Sequence, residues 1–168
     1  MKKFIALTAV LISGFMSVAN AGFIVEKYDG YNTSNLTNLI NYAGSNTATS
    51  TTEHDFIDFS DWTPGTYIGQ SNTNVAWPPS AVDNFFVKIT GMFDIASTGD
   101  YTFKSYNDDG MYLNIDGSNV LSDSGYHAAN YRSNTVNLLA GLHDLEIYFF
   151  EGGGQAILEV TYAPQGSS

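Results

Sequence analysis

The later part of the chain is a succession of short segments in which apolar and polar residues alternate. Such alternation predicts half-buried strands, because successive side chains of a strand point to opposite faces of its sheet. Asp116-Gly117 is typical of a tight hairpin turn, and Gly91 is a candidate break within one strand. The pattern favours a single all-β domain, an antiparallel sandwich or barrel without internal repeats. The predicted strands cover residues 23–28, 85–95, 100–106, 111–115, 135–139, 143–150 and 156–162.

One short helix is predicted near the start of the domain. Leu36, Leu39 and Ile40 recur at helical spacing after a capping residue, which is either Ser34 or Asn35. The sequence therefore predicts an all-β fold with one short helix.

The segments between the predicted elements read as connections. Residues 41–52, which include Gly44, are polar and β-branched without a period, so we expect a loop there. Residues 69–84 combine Gly, Asn, Ser and Pro and are expected to form a long surface connection. We expect Trp62 to lie in the core and Trp77 to anchor the surface connection.

Charge and composition exclude several classes of function. The chain has 6 Lys and Arg against 17 Asp and Glu, a formal charge of −11, which argues against binding nucleic acid or an anionic membrane. Without cysteine there are no disulfides, thiolate zinc sites or cysteine nucleophiles. His54, His127 and His143 lack the spacing of a zinc site. The acidic balance is compatible with a hard cation such as calcium.

Residues 1–21 read as a secretory signal peptide. Lys2 and Lys3 precede an apolar run, and Ala19-Asn20-Ala21 resembles a cleavage site. The apolar run is short for a membrane span, so no membrane insertion is expected. Cleavage would leave one domain over residues 22–163 and a polar tail over 164–168, with 4 basic and 17 acidic residues and a formal charge of −13. We expect a secreted protein, extracellular, periplasmic or at the cell surface.

Two adjacent acids follow a predicted strand in Asn107-Asp108-Asp109-Gly110. The same residues are also typical of a solvated turn. In a regular strand the two side chains would point to opposite faces, so a shared target requires a distorted backbone. Carboxylates brought together repel each other, and a divalent cation removes that repulsion. The doublet is therefore a candidate calcium site.

Several motifs, in order, make the chain resemble the PA14 family, the fourteen-kilodalton domain named from anthrax protective antigen. Flanking segments over 22–30, 56–62 and 138–162 are also similar, so the resemblance covers residues 22–163. Asn107 stands where serine is usual, and the connection over 65–84 looks expanded. The central motifs are Thr90-Gly91, Gly99-Asp100-Tyr101-Thr102-Phe103, Asn107-Asp108-Asp109-Gly110 and Ile115-Asp116-Gly117.

The resemblance implies a β-sandwich and, as in the sugar-binding members, a calcium ion held by Asp108 and Asp109 across a cis peptide. It also implies that a second loop, residues 151–157, completes the coordination through the Gln155 side-chain amide and the Gly153 carbonyl. In those members the ion takes vicinal sugar hydroxyls directly. Asp108, Asp109 and Gln155 are therefore also the expected sugar-binding residues.

The sequence thus predicts a calcium-dependent, lectin-like protein involved in adhesion, and no enzyme. A glycosidase requires two carboxyl groups about 5–9 Å apart, and the sequence does not pair Asp94, Asp100 or Glu151, which could lie near the site. The expected partners are glycans or polysaccharide, together with extracellular proteins. The alternative is a structural or interaction module of an extracellular matrix or surface assembly that keeps the fold without binding sugar.

Three further residues have predicted roles. His143 matches a family position, which suggests a structural hydrogen bond. Tyr126 and Tyr131 lie on either side of His127 in a polar loop, where they are either sugar-stacking residues or ordinary loop tyrosines.

Overall fold

The computed structural model describes residues 14–15, 22–62, 69, 74–79 and 83–166, with side chains from residue 22 onwards. Within these residues the chain forms one helix and eleven strands. In chain order they are β1 (Gly14–Phe15), β2 (Phe23–Asp29), α1 (Leu36–Ser45), β3 (Ser50–His54), β4 (Asp58–Ser60), β5 (Phe85–Ile95), β6 (Gly99–Asp108), β7 (Gly110–Ile115), β8 (Ser118–Asp123), β9 (Asn130–Leu138), β10 (Gly141–Glu151) and β11 (Ile157–Pro164).

The strands form two sheets with a hydrophobic core between their inner faces. The five-stranded sheet has the order β1-β11-β6-β9, with β4 also pairing with β11. The six-stranded sheet has the order β3-β2-β5-β10-β7-β8. All strand pairs are antiparallel, and apolar side chains of both sheets form one buried cluster. The predicted all-β antiparallel sandwich is therefore confirmed.

The centre of the core is aromatic, and it includes Trp77, which anchors the connection as predicted. Trp77 is buried and stacks between Phe59 and Phe149, with ring centroids 4.9 Å from each. Its indole N–H donates to the Ala156 carbonyl at 2.9 Å, so its polar atom is satisfied inside the core. Trp62, predicted in the core, is 38% exposed. The connection predicted over 69–84 is thus partly buried, at Asn74, Trp77 and Pro78, while residues 70–73 and 80–82 lie outside the described part.

The helix begins where predicted, at Leu36, after the capping residue Asn35. The Asn35 side chain accepts the backbone N–H of Asn38 at 3.0 Å. Leu39 is fully buried against an aromatic cluster on the outer face of the six-stranded sheet. The cluster consists of Tyr28, Phe86, Tyr112, Tyr148 and Phe150.

Two local predictions about residues 41–52 and Gly91 are wrong. The helix continues through Gly44 to Ser45, because Tyr42 packs edge-on against Tyr28 and Phe86 of the same aromatic cluster. Residues 50–54 form β3, an edge strand whose exposed polar side chains carry no apolar period. Gly91 does not break β5; it lies under the Phe23 ring, where a Cβ would come 2.5 Å from Cδ1.

Two crossings between the sheets meet at one end of the sandwich. The chain passes from β6 to β7 through Asp109, and from β10 to β11 through residues 152–156. Strand pairing places Asp108 opposite Ile157 and Gly110 opposite Phe150, so the crossings are neighbours. At the other end, Pro164 pairs with Tyr101, and the Gln165 N–H donates to the Asp100 carbonyl at 2.8 Å.

Most of the predicted signal peptide lies outside the described residues. The exception is β1, which pairs with Thr161 and Tyr162 on the outer edge of β11. The boundaries predicted at residues 21 and 163 stay predictions. None of the helices among the described residues has the length and apolar character needed to cross a membrane.

His143 makes the structural hydrogen bonds predicted for it. Its Nδ1 lies 2.6 Å from Asp116 Oδ2 and its Nε2 lies 2.8 Å from the Leu139 carbonyl. Burial lowers the pKa of His143, but the hydrogen bonds to Leu139 and Asp116 outweigh burial and raise it above 6.5. The same hydrogen bond lowers the pKa of Asp116 below 3.8. The pair joins the β7–β8 turn to the start of β10.

The pH dependence of the free energy of unfolding should reveal the interaction between His143 and Asp116. The contribution of His143 is fully present below about pH 6.5, its usual unfolded pKa, and is lost as the pH rises through the raised folded value. The contribution of Asp116 is lost as the pH falls through its lowered value. We expect His143→Gln to destabilise the protein most near pH 6 and least near pH 9, by about 1–2 kcal/mol at the lower pH.

Thermal unfolding of wild type and His143→Gln between these pH values measures the difference. Taking the difference cancels the other titrating groups that the two proteins share. A difference that stays constant across the range would contradict the assignment.

Candidate metal centre

Three carboxylates meet at the two crossings between the sheets. Oxygen atoms of Asp108, Asp109 and Glu151 all lie within 4.8 Å of one another. The three residues are buried, with 6%, 5% and 0% exposure respectively. The peptide bond between Asp108 and Asp109 is cis, as the resemblance implied. Like charges at this separation and depth repel strongly.

Asp109 is fixed from both sides by backbone amides. Its Oδ1 accepts the N–H of His127 at 2.7 Å and its Oδ2 accepts the N–H of Gly152 at 2.9 Å. Its own N–H donates to Glu151 Oε2 at 3.1 Å. The residue thereby joins the loop after β8 to the loop after β10.

Asp108 has a more open carboxylate. Oδ2 accepts the N–H of Ala129 at 3.0 Å, and Oδ1 takes no hydrogen bond from the described residues. Burial and the charge of Asp109 raise the pKa of Asp108, although the Ala129 amide opposes the rise. One oxygen of Asp108 is thus left available to a ligand.

Glu151 is the least satisfied of the three carboxylates. Its Oε1 is buried without a hydrogen-bond partner among the described residues. Burial and the charge of Asp109 raise the pKa of Glu151 to about 8, against the opposing effect of the Gly153 and Asp109 amides. An unpartnered buried carboxylate oxygen is costly when ionised, so a cation bound beside Oε1 would stabilise the ionised form of Glu151.

The residues at this centre fit calcium. All three side chains offer carboxylate oxygens, the hard ligands that calcium prefers. A divalent cation would relieve both the mutual repulsion and the orphaned oxygen of Glu151. Because calcium takes six to eight oxygens, these side chains leave coordination positions for further ligands.

A network of buried polar side chains contacts the backbone of the carboxylate-bearing turn. Asn107, fully buried, donates from Nδ2 to the Asp109 carbonyl at 2.8 Å and to Asp123 Oδ2 at 3.1 Å. Arg132 contacts both Asp123 oxygens, at 3.0 and 3.1 Å. His127 Nε2 lies 2.9 Å from Asp123 Oδ2, a close contact outside hydrogen-bonding geometry. Asn107, where the family usually has serine, thus stabilises the Asp108–Asp109 turn through its hydrogen bond to the Asp109 carbonyl.

The second loop lies beside the carboxylates, as the resemblance implied. Gly152 contacts Asp109, and the Gly154 N–H donates to Asp83 Oδ1 at 3.0 Å. Gly153 and Gln155 are both exposed in this loop. Their roles as calcium ligands, and that of Gln155 in sugar binding, remain predictions.

Of the three other acids that the sequence suggested near the site, one lies there and two do not. Glu151 belongs to the centre, whereas Asp100 lies at the opposite end of β6 from Asp108. Asp94 pairs with Leu142 near the far end of β10 from Glu151. The expectation that Asp94 and Asp100 could lie near the site is wrong, because the strands that carry them run the full length of the sandwich.

Several residues around the centre were not predicted from the sequence. Asp83 and Asn32 come from distant segments, and no motif links either of them to the carboxylates. The acid directly before the three glycines was a usable signal for Glu151. Of the two tyrosines, Tyr126 stands beside Gly152, whereas Tyr131 packs against Tyr106 on the five-stranded sheet.

Comparison with known proteins adds a family and a fold. The PA14 domain model matches residues 56–167. The PA14 sugar-binding domain from an RTX adhesin has a TM-score of 0.69 at 24% identity, covering 88% of this chain and 92% of that one. The PA14 domain of the MpAFP antifreeze protein has a TM-score of 0.68 at 19% identity, covering 88% and 84%.

A third similar structure comes from a yeast. The A domain of an epithelial adhesin from Candida glabrata, in complex with β-lactose, has a TM-score of 0.59 at 14% identity, covering 92% of this chain and 87% of that one. At these identities the three structures establish the shared fold. No curated protein matches the chain.

Proposed function

The chain belongs to the PA14 domain family, and we propose that it is a secreted, calcium-dependent carbohydrate-binding protein and not an enzyme. Asp108 and Asp109 would hold the ion, with Glu151 beneath them. Gln155 and the Gly153 carbonyl would complete the protein ligands. Export would remove residues 1–21, including β1.

The observation that carries the proposal is the unpartnered oxygen of Glu151 within a cluster of three carboxylates. Glu151 has no exposed surface, and its Oε1 lacks a hydrogen bond among the described residues. The neighbouring carboxylates are held in place by the amides of His127, Ala129 and Gly152. A site held ready before binding loses little entropy when the ligand arrives.

Free coordination positions on the ion would account for the proposed sugar binding. When bound, calcium offers free coordination positions to two neighbouring hydroxyl groups of a sugar. Asp108 and Asp109 would hold the ion, and the exposed loop over 153–155 would shape the space around it. The sugar-binding domain of the RTX adhesin and the lactose complex of the yeast adhesin, which share this fold, support carbohydrate as the ligand class.

Glycan binding measured with and without a chelator tests the proposal. We expect binding to immobilised glycans in calcium and none after chelation. Calcium alone should raise the melting temperature by about 5–10 °C at concentrations near 100 times its Kd, and sugar should raise it further. Equal glycan binding in both conditions would contradict the mechanism. Calcium binding without any glycan binding would favour an interaction module of an extracellular assembly.

The buried charge of Glu151 gives a second test. Because its pKa is raised from 4.5 to about 8, the stability of the calcium-free protein should fall as the pH rises between these values. Glu151→Gln removes that ionisation and keeps an oxygen for the Asp109 N–H. We expect the variant to melt about 5 °C higher than wild type at pH 8.5 in chelator. Its gain in melting temperature on adding calcium should be smaller than that of wild type.

Glu146→Gln is the matched control, since Glu146 lies on the same strand and its side chain is 37% exposed. This change should leave both the calcium-free stability and the calcium response close to wild type. If Glu151→Gln and Glu146→Gln respond alike to calcium, Glu151 does not contribute to the site.

A further inference from the structure

The helix α1 covers only part of the outer face of the six-stranded sheet. It packs Leu36 and Leu39 on the aromatic cluster. Beyond that cluster, at the end of the sandwich away from the carboxylates, no element in the described part of the chain lies over β2, β5 and β10. Ile24, Met92 and Leu142 are there 37%, 40% and 65% exposed. Three large apolar side chains are therefore exposed together on one face, which is typical of an interaction surface.

An open groove of about 420 Å³ lies on this uncovered face. Thr90 and Met92 of β5 line it from one strand, and Asp144 and Glu146 of β10 line it from the next. Gly117, in the turn between β7 and β8, lines its side. The groove thus combines apolar and acidic groups.

Apolar and acidic side chains alternate in both directions across the face. Strand pairing sets Met92 opposite Asp144 and Leu142 opposite Asp94. Directly opposed residues of an antiparallel pair have Cβ atoms about 4.5–5.5 Å apart, so each of these apolar side chains has a carboxylate as its neighbour. Along each strand the two kinds of side chain are two residues apart, about 6.8 Å. A ligand for this face needs apolar and cationic groups at the same spacing.

The carboxylates of the face outnumber its cations. Lys88 lies 4.0 Å from Glu26 and 4.0 Å from Glu146, at the border with the aromatic cluster. Within the described residues, no ion pair reaches Asp94 or Asp144, and both are exposed. The negative potential of the face therefore attracts a positively charged partner.

A second copy of the chain is a poor occupant for this face. Beyond residue 21, the basic residues are Lys27, Lys88, Lys104 and Arg132. Lys27 is fully buried, and Arg132 contacts Asp123. Two such faces brought together would oppose carboxylates to carboxylates. The occupant must therefore bring its own positive charge.

We propose that this face binds an extended, arginine- or lysine-rich segment of another protein, with basic and apolar side chains alternating on the side that meets the sheet. An extended segment repeats its side chains on one side every two residues, which matches the spacing of Met92 to Asp94 and of Leu142 to Asp144. Arginine and lysine lay their aliphatic stems on apolar surface while their charged heads pair with carboxylates. This binding goes beyond the proposed function, because the face is remote from Glu151 and needs neither calcium nor sugar.

The probe is a synthetic peptide of three Arg-Arg-Leu-Leu repeats, in which either side of the extended chain alternates arginine with leucine. Fluorescence anisotropy of the labelled peptide gives its Kd for the full chain, and amide NMR shifts locate the site. We expect the same Kd in calcium and in chelator, with shifts concentrated in residues 90–94 and 142–146. A peptide of Arg-Arg-Ser-Ser repeats should bind about 3–10-fold more weakly, and one of Glu-Glu-Leu-Leu repeats should not bind.

Two double variants test the two components of the face. Asp94→Asn with Asp144→Asn should weaken binding of the Arg-Leu peptide about 5–10-fold, because two ion pairs are lost. Met92→Ser with Leu142→Ser should weaken it by a similar factor, because the apolar contact is lost. All four positions are exposed, so both variants should melt close to wild type.

Asp55→Asn with Asp100→Asn is the matched control, since it removes the same charge from exposed positions outside the face. This variant should bind the peptide as wild type does. Equal weakening by both acidic double variants would assign the binding to net charge and overturn the proposal. NMR shifts centred elsewhere, or no binding of the Arg-Leu peptide to wild type, would overturn it as well.

A second copy remains a distinguishable outcome. Dimerisation of wild type in analytical ultracentrifugation that Met92→Ser with Leu142→Ser abolishes would make the occupant another copy of the chain, and it would overturn the proposal. Each of these results leaves the glycan measurements unaffected, so failure here and failure of the proposed function are separate findings.

Discussion

Replacing Asp109 with asparagine is expected to abolish calcium binding and, with it, calcium-dependent glycan binding. Asp109 supplies a negative charge to the carboxylate cluster, and both its oxygens accept backbone N–H groups. An asparagine keeps only one acceptor oxygen, so its NH₂ group must face the N–H of either His127 or Gly152. The variant therefore loses a charged ligand and also leaves a backbone donor without its acceptor.

The measurement is the melting temperature with and without calcium, followed by glycan binding. Wild type should gain about 5–10 °C from calcium, and Asp109→Asn should gain none. Asp94→Asn is the control, because it makes the same change in charge at an exposed position far from the centre. A calcium response in Asp109→Asn equal to that of Asp94→Asn would place the ion elsewhere.

Replacing Gly110 with alanine is expected to cause the largest loss of stability of any small substitution proposed for this chain. A Cβ at Gly110 would lie 2.3 Å from the Phe150 ring and 2.4 Å from the Asp123 carbonyl oxygen. Phe150 is fully buried and cannot withdraw, and the Asp123 oxygen is backbone. We expect a loss of about 3 kcal/mol, which lowers the melting temperature by about 6–12 °C.

Gly99→Ala is the control for the intrinsic effect of adding a methyl group to a strand. A Cβ at Gly99 meets no atom within 4 Å. Since Gly110 follows Asp109 directly, its substitution should also weaken the calcium response, whereas Gly99→Ala should leave that response unchanged. Equal melting temperatures for the two variants would contradict the close packing at Gly110.

The architecture and the acidic pair could be predicted from the sequence because both depend on local patterns. Alternation specified the strands, and Asp108 and Asp109 stand together within a recognisable motif. The third carboxylate was not assigned, since Glu151 reaches the pair only through the pairing of Gly110 with Phe150 and of Asp108 with Ile157. Register of this kind depends on the packing of the whole sandwich.

The errors have similar physical causes. β3 is an edge strand of polar residues, and nothing in its composition distinguishes it from a loop. The tryptophan in the core is Trp77 and not Trp62, and its indole N–H donates to the Ala156 carbonyl, a partner 79 positions away in the chain. The bond between Asn32 and Tyr126 spans 94 positions. Long-range polar contacts of this type leave no periodic signal in a single sequence.

The contact between Gln165 and Asp100, at the far end of the sandwich from the carboxylates, determines how the protein is oriented when it is immobilised. Gln165 is bound to Asp100 at the start of β6, and Asp108 ends the same strand roughly 26 Å away, at about 3.3 Å per residue. A sensor chip, bead or neighbouring protein that grips the chain after residue 166 would therefore leave the carboxylate end facing outward. If the proposed function is right, protein immobilised through that end should bind glycan-coated particles as well as protein free in solution.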